Sequence, residues 1–219
     1  MKYTFVLYFF LVTGQVSFGQ VLNSDSAGIG GKISVGGSIN SGNLQRIGLV
    51  NTGDFFYKTK GGKFGLESHT QYMYTKTFGA LQENDVLTRT LFYSKLNKHW
   101  FATLIFWYET NKLRQLHPLI QAGPSVEYAW LLKKHSKGGI SVGVTYEHKH
   151  FDTYTFSDTK YNGSQNINTP RLFTRLHGQN TIGISKIVFT YDVYYMPSLQ
   201  YANNYRVHAE SSLAVPVTK

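Results

Sequence analysis

The chain has 219 residues and a formal net charge of +10, and its composition excludes several classes of protein. It contains no cysteine, which excludes disulfides, thiolate metal sites, thiol nucleophiles and a lipid-modified N-terminal cysteine. The basic residues are scattered or lie in predicted turns, without the clustering that nucleic-acid binding needs, so nucleic acid is not an expected partner. Aromatic and charged residues each make up 16%, whereas about 25% of residues are charged in a typical soluble domain.

The N-terminus has the features of a secretory signal peptide over residues 1–19. Lys2 supplies the positive charge, residues 5–12 form a short apolar run, and Ser17 and Gly19 are small residues before the expected cleavage site. The apolar run is too short for a transmembrane helix, which needs about 20 residues. We therefore expect an exported protein, with residues 20–31 as a polar, glycine-rich periplasmic lead-in.

From Lys32 onwards, apolar and polar residues alternate in a way that predicts ten β-strands. The clearest is 64–74, where one face carries mostly apolar side chains and the other carries a carboxylate, an imidazole and an amide. The predicted strands are 32–39, 44–58, 64–74, 86–96, 99–110, 118–132, 140–154, 169–178, 181–196 and 205–215. A tight turn is expected at Ser41-Gly42-Asn43, a longer polar connection at 77–85 and the longest loop at 157–168.

The fold class predicted from these strands is all-β, an antiparallel up-and-down transmembrane β-barrel over residues 32–219. Most connections alternate between short and long, and strands of about 10 to 15 residues exceed the soluble mode of about 5 to 6. Tyrosine and tryptophan near strand ends would form interfacial girdles, at Tyr57, Tyr72, Tyr74, Trp100, Tyr108, Tyr128, Trp130, Tyr146, Tyr195 and Tyr205. Because the chain stops at Lys219 just after a strand, we expect a fragment, with twelve strands once a final hairpin is added.

Three stretches carry a resemblance to a known family. They are Ser41-Gly42-Asn43 after a glycine-rich first strand, residues 84–93 (NDVLTRTLFY) and residues 120–128 (IQAGPSVEY), in which Pro124 stands where a glycine is expected. Over Lys32 to Lys219 the chain resembles the salt-induced outer-membrane proteins, a domain-of-unknown-function family of Gram-negative β-barrels. The resemblance implies an outer-membrane location, outer-membrane lipid and the barrel-assembly machinery as partners, and no catalytic residue or cofactor.

The polar faces of the strands supply the candidate interior residues. In a membrane barrel these faces line the lumen, which gives Glu67, His69, Gln71, Glu127, Glu147, Lys149, Arg206, His208 and Glu210. An eight-stranded barrel is just filled by side chains, whereas 16 to 18 strands leave a channel. A barrel of ten or twelve strands therefore favours a salt-bridged interior with at most a narrow water path, and a selective pore for an unknown solute is the alternative.

A second candidate group lies at the predicted extracellular rim. His148, His150 and Asp152 alternate on one face beyond Tyr146, and two imidazoles two residues apart can bind a metal if a neighbouring strand adds ligands. An exposed polar strand end explains the same three residues, so we expect neither an enzyme nor a metal site. The alternatives are a barrel enzyme acting at this rim and a secreted, soluble, lipocalin-like binding protein. Lysines are expected in periplasmic turns, at Lys60, Lys63, Lys98, Lys133, Lys134 and Lys137.

Overall fold

The computed structural model describes residues 27–41, 45–133, 136–154, 163–182, 187–201 and 203–215. Its ten strands are β1 Gly28–Asn40, β2 Arg46–Lys58, β3 Phe64–Thr77, β4 Ala80–Lys95, β5 Trp100–Asn111, β6 Leu116–Lys133, β7 Ser136–Phe151, β8 Asn166–Ile182, β9 Ile187–Pro197 and β10 Tyr205–Ala214. A 3₁₀ turn, Lys60–Gly62, follows β2. Within these ranges, no helix has the length and apolar character that a membrane crossing requires.

All ten strands belong to one antiparallel sheet, and each strand pairs with the next in chain order. The prediction of ten up-and-down strands is therefore confirmed. Within the described residues, β1 and β10 are the two edges of the sheet and do not pair with each other. The architecture is a curled sheet, or half-barrel.

The curl brings distant strands together across the concave side. Arg89 on β4 and Glu210 on β10 approach to 2.6 Å between Nη2 and Oε1. Arg206 on β10 lies 2.8 Å from Glu109 on β5. These contacts are made by side chains that reach across the concave side, because among the described strands the main chain of β10 pairs with β9 alone.

The predicted polar connection at 77–85 is wrong. β3 and β4 form a long hairpin around Phe78 and Gly79, whose φ angles of 48° and 81° are both positive, as in the tight turns that join antiparallel strands. The polar residues after this turn are strand residues with partners on neighbouring strands. Asn84 accepts a hydrogen bond from Tyr72 at 2.9 Å, and Glu83 accepts one from Thr75.

Other strand limits also differ from the predictions. Gly28 to Gly31, expected in the lead-in, begin β1, and β6 begins at Leu116, two residues before the predicted strand 118–132. β8 extends through Gln179 and Asn180, which lie between the predicted strands 169–178 and 181–196, because these residues pair with Thr190 and Phe189 of β9. β6 ends at Lys133 and β7 runs from Ser136 to Phe151. Lys133 and Lys137 are therefore strand residues rather than turn residues.

Several predictions lie outside the described residues. They concern the signal peptide, residues 20–26 of the lead-in, Gly42 and Asn43 of the predicted turn, Lys134, residues 157–162 of the long loop and the last four residues.

Candidate functional site: the charged interior

The two faces of the curled sheet have opposite chemistry. On the convex face, large side chains remain exposed, with Tyr146 at 58%, Trp100 at 44% and Trp130 at 41% of their full accessible surface. On the concave face, Arg171 and Glu147 are both 0% exposed. Ionised groups are rarely buried completely unless they are paired, so the partners of these groups define the interior.

One group of paired charges, which we call the Glu147 cluster, comprises Glu109, Glu147, Lys149, Arg171 and Arg206. Three cations surround the Glu147 carboxylate at 2.8 Å each, namely Lys149, Arg171 and Arg206. Arg206 also lies 2.8 Å from Glu109. Arg171 Nη1 donates to the main-chain carbonyls of Met196 and Asn204, and Nη2 also donates to Asn204 Oδ1. The cluster joins β5, β7, β8 and β10 through their side chains.

A second group, which we call the Asp192 cluster, comprises Arg89, Arg175, Asp192, His208 and Glu210. Arg175 makes a bidentate pair with Asp192, at 2.8 Å and 2.9 Å. Both Glu210 oxygens accept hydrogen bonds from Arg89, and Glu210 also lies 2.8 Å from His208 Nε2. Planar Arg–carboxylate pairs of this type fix geometry as well as charge.

Carboxylates on β3 and β6 adjoin the Asp192 cluster. Glu127 accepts a hydrogen bond from Ser141 at 3.0 Å and lies 3.2 Å from His177. Glu67 is buried, and its Oε1 atom has no hydrogen-bond partner among the described residues. It lines a cavity of about 20 Å³ together with Arg89, Arg175, Asp192 and other residues. A water molecule needs about 10–15 Å³ of such volume, so the cavity has the size of one water.

Aromatic side chains separate the two clusters. Trp107 on β5 packs edge-to-face against Tyr194 on β9, with ring centroids 5.6 Å apart, and Tyr194 lies 6.0 Å from Phe173 on β8. Trp107 and Phe173 are 1% and 0% exposed. Trp107 contacts a guanidinium from each cluster, with Arg206 at 4.9 Å and Arg89 at 5.5 Å from its ring centroid. Such cation–π contacts are favourable, and more so away from water.

The structure places every predicted interior residue on the concave face. Glu147, Lys149 and Arg206 come together in the Glu147 cluster, and His208 and Glu210 in the Asp192 cluster. Glu67 and Glu127 lie beside the Asp192 cluster, whose Arg175 and Asp192 line the same cavity as Glu67. His69 pairs instead with Asp54 on β2 at 2.6 Å, and Gln71 follows it on the same face of β3, opposite Thr52.

Sequence reasoning missed five charged residues of the two clusters and the aromatic residue between them, namely Arg89, Glu109, Arg171, Arg175, Asp192 and Trp107. The period-2 pattern could have found Asp192, which stands alone between apolar neighbours on β9. The same pattern could have found Arg171 and Arg175, because they are four residues apart in the predicted strand 169–178 and therefore share one face.

The predicted rim residues make a different arrangement. His148 and His150 lie on the convex side and contact Asn168 and Asn166 of β8, at 2.7 Å and 2.9 Å. Asp152 follows the end of β7, with His117 at 3.7 Å. In the part of the chain that the structure describes, no group of three or more His, Cys, Asp or Glu residues could hold a metal ion. The three residues are therefore not brought together as a site.

The curled sheet and its buried ion pairs define an all-β protein of the barrel type with a side-chain-filled interior. The chain belongs to the family described as "Protein of unknown function, DUF481", whose family model matches residues 33–219. No curated protein and no solved structure matches the chain significantly.

Proposed function

We propose that this protein is an outer-membrane β-barrel whose lumen is closed by paired charges, with a structural role in the cell envelope. The observation that carries the proposal is the distribution of side chains, with apolar and aromatic groups outside and buried ion pairs inside. In a membrane barrel the outer face contacts hydrocarbon and the interior is polar. The proposed partners are outer-membrane lipid along the convex face and the barrel-assembly machinery during insertion.

The dimensions of the convex apolar band support a membrane crossing. On β6, outward-facing residues run from Ile120 to Trp130, ten residue steps along the strand. At about 3.3 Å per residue this is about 33 Å, and strands tilted by about 35–45° would cover about 25 Å of membrane thickness, the height of a typical apolar band.

Both ends of the band carry the residues expected at a membrane interface. At one end, the rings of Trp100 and Tyr128 are in tilted contact, with 4.9 Å between their centroids, next to Trp130 on β6. At the other end, Tyr146 is followed on the same face by His148, which contacts Asn168. Aromatic rings prefer the headgroup region, and imidazole and amide groups prefer water. The change from Tyr146 to His148 is therefore our proposed upper boundary of the hydrocarbon.

The alternative of a secreted soluble protein does not fit the distribution of charged and aromatic side chains. A lipocalin-like protein needs an interior able to hold an apolar ligand, whereas this interior contains fully buried Arg171 and Glu147. In a soluble protein, the tryptophan and tyrosine side chains of the convex band would also be in contact with water. Contiguous apolar surface of this kind marks an interaction with membrane or protein.

A closed lumen is favoured over an open pore because large paired side chains meet across it. Arg206 reaches from β10 to Glu109 and Glu147, and Arg89 reaches from β4 to Glu210. The resemblance to salt-induced outer-membrane proteins supports an envelope-maintaining role under salt stress. This role involves no reaction and no cofactor.

The chain has three tryptophans, which allow a direct test. Single-tryptophan variants are made with phenylalanine at the other two positions and refolded into vesicles of phosphatidylcholine with brominated acyl chains, which quench tryptophan in contact with lipid. We expect strong quenching for Trp100 and Trp130 and weak quenching for Trp107. Heat-modifiable gel mobility identifies the folded form of each variant. A protein that does not enter vesicles, or in which Trp107 is quenched as strongly as Trp130, would contradict the proposal.

A further inference from the structure

The two charged clusters meet at one side chain. Trp107 contacts Arg206 of the Glu147 cluster and Arg89 of the Asp192 cluster, and its ring also lies 5.2 Å from His208. With Tyr194 it forms an aromatic layer that extends from β5 to β9 across the interior. Beside strands β5 to β9, a water molecule or an ion that moves along the interior meets this layer.

Polar groups lead from the Glu147 cluster to one end of the sheet. Glu109 bonds to Arg114 at 2.7 Å, and Arg114 lies in the connection between β5 and β6 with half of its side chain exposed. The polar groups on this side of Trp107 therefore reach solvent.

Polar groups also continue from the Asp192 cluster towards the opposite end. Buried Arg89 Nε and Nη1 atoms lack hydrogen-bond partners among the described residues, and Arg89 lines the same small cavity as Glu67. Further along, Glu127 and His177 are paired on β6 and β8. Beside this pair, buried apolar residues that include Phe101 lie on β4, β5 and β6. Phe101 is paired in register with Glu127 on β6, and this row continues with Ser141 on β7 and Arg175 on β8. The path on this side of Trp107 is polar along β6 to β8.

We infer that Trp107 completes the closure of the interior, acting as an apolar partition between the two charged clusters. This inference rests on the proposed function, because permeability has meaning only for a barrel in a membrane. The indole excludes water from the narrowest segment, as apolar constrictions do in gated channels. Without it, the space would be faced by Arg89, Arg206 and His208 on one side. Its other side would be formed by residues of the buried apolar cluster to which Trp107 belongs, among them Leu119, Phe173 and Met196. The two guanidinium groups and the imidazole would hold water in a space of indole size, which has room for several waters of about 30 Å³ each.

The test is the ionic conductance of planar lipid bilayers that contain the full chain in KCl. We expect Trp107→Ala to raise single-channel conductance roughly tenfold or more above the wild-type baseline, because the dewetted segment becomes hydrated. Trp107→Phe should stay near the baseline, since it keeps an aromatic ring between the guanidinium groups. Trp100→Ala is the matched control, because it removes the same side chain from the convex band and leaves the interior intact.

Heat-modifiable mobility of each variant separates the two levels of the proposal. If wild type and Trp100→Ala do not insert into bilayers, the proposed function fails. If Trp107→Ala inserts in the folded form and conducts no more than Trp100→Ala, the partition role is overturned while the membrane barrel stands. If Trp107→Ala does not fold, Trp107→Gln, which places a polar side chain in the same position, is measured against the same two controls, and baseline conductance with folded mobility again overturns the inference.

Discussion

The replacement Glu147→Gln tests whether the interior charges hold the fold together. Gln has nearly the same shape as Glu, so the change removes a charge with little change in packing. Three cations lie 2.8 Å from the Glu147 oxygens, and two of them, Lys149 and Arg171, have no other carboxylate within 4 Å in the part of the chain that the structure describes. Removing one partner from a buried ion pair costs about 3–5 kcal/mol, because the remaining charge is left uncompensated. We expect the free energy of unfolding to fall by about that amount.

The assay is urea unfolding of the protein in lipid vesicles, followed by tryptophan fluorescence. The slope of the free energy against urea concentration should stay unchanged while the midpoint falls, since a changed slope indicates a different folded or unfolded ensemble. Asp152→Asn is the control. Its carboxylate is more than half exposed and lies 3.7 Å from His117, so we expect a change of about 0–1 kcal/mol. A Glu147→Gln effect as small as the control would refute the reasoning that the interior is held by this carboxylate.

Two further predictions concern packing and the rim. A methyl group at Gly143 would come 2.3 Å from the carbonyl oxygen of Pro124, so Gly143→Ala should lower the free energy of unfolding by about 1–3 kcal/mol. The control is Gly53→Ala, which has nothing within 4 Å of the added carbon and should change the free energy of unfolding by less than about 0.5 kcal/mol. If the two variants lose the same free energy of unfolding, β6 and β7 are not tightly packed at Gly143. His148→Ala combined with His150→Ala should leave the effect of added Zn²⁺ on the urea midpoint unchanged, whereas a zinc-dependent midpoint in the wild type that the double variant lacks would establish a metal site.

The sheet was predictable because its alternation of side chains is regular. Glu127 stands in a run where every second residue is apolar, and Glu147 follows such a run, so their shared concave face follows from a period of two. The β3–β4 hairpin was not predictable in this way, because Glu83, Asn84 and Asp85 have the composition of a loop. They form part of a strand because groups on neighbouring elements make hydrogen bonds to their side chains. Asp85, for example, accepts hydrogen bonds from the Asn111 side chain and the Lys112 main chain.

The alternation of side chains also could not predict which charged residues pair across the interior, because this pairing depends on the curl of the sheet. Arg89 and Glu210 are 121 residues apart and are not on paired strands. Alternation assigns each to a face but says nothing about which strands meet across the interior. Trp107 was ambiguous for a related reason, because β5 is apolar on both faces in its middle, and only the pairing of β5 with β4 and β6 settles which face is concave.

The charges in this interior determine geometry more than they add net stability. A buried ion pair loses much of its Coulomb energy to desolvation, and a well-packed apolar core of the same volume is often as stable. Ion pairs, however, accept only one arrangement. In the described residues β10 has a hydrogen-bonded neighbour on one side only, and its other attachments are Arg206 and Glu210 reaching β4, β5 and β7. An apolar filling would allow β10 to slide or the sheet to uncurl, since apolar contacts are not directional. The paired guanidinium and carboxylate groups fix the curl of the sheet. Loss of the Glu147 carboxylate should therefore weaken the side-chain connections among the four strands that its cluster joins.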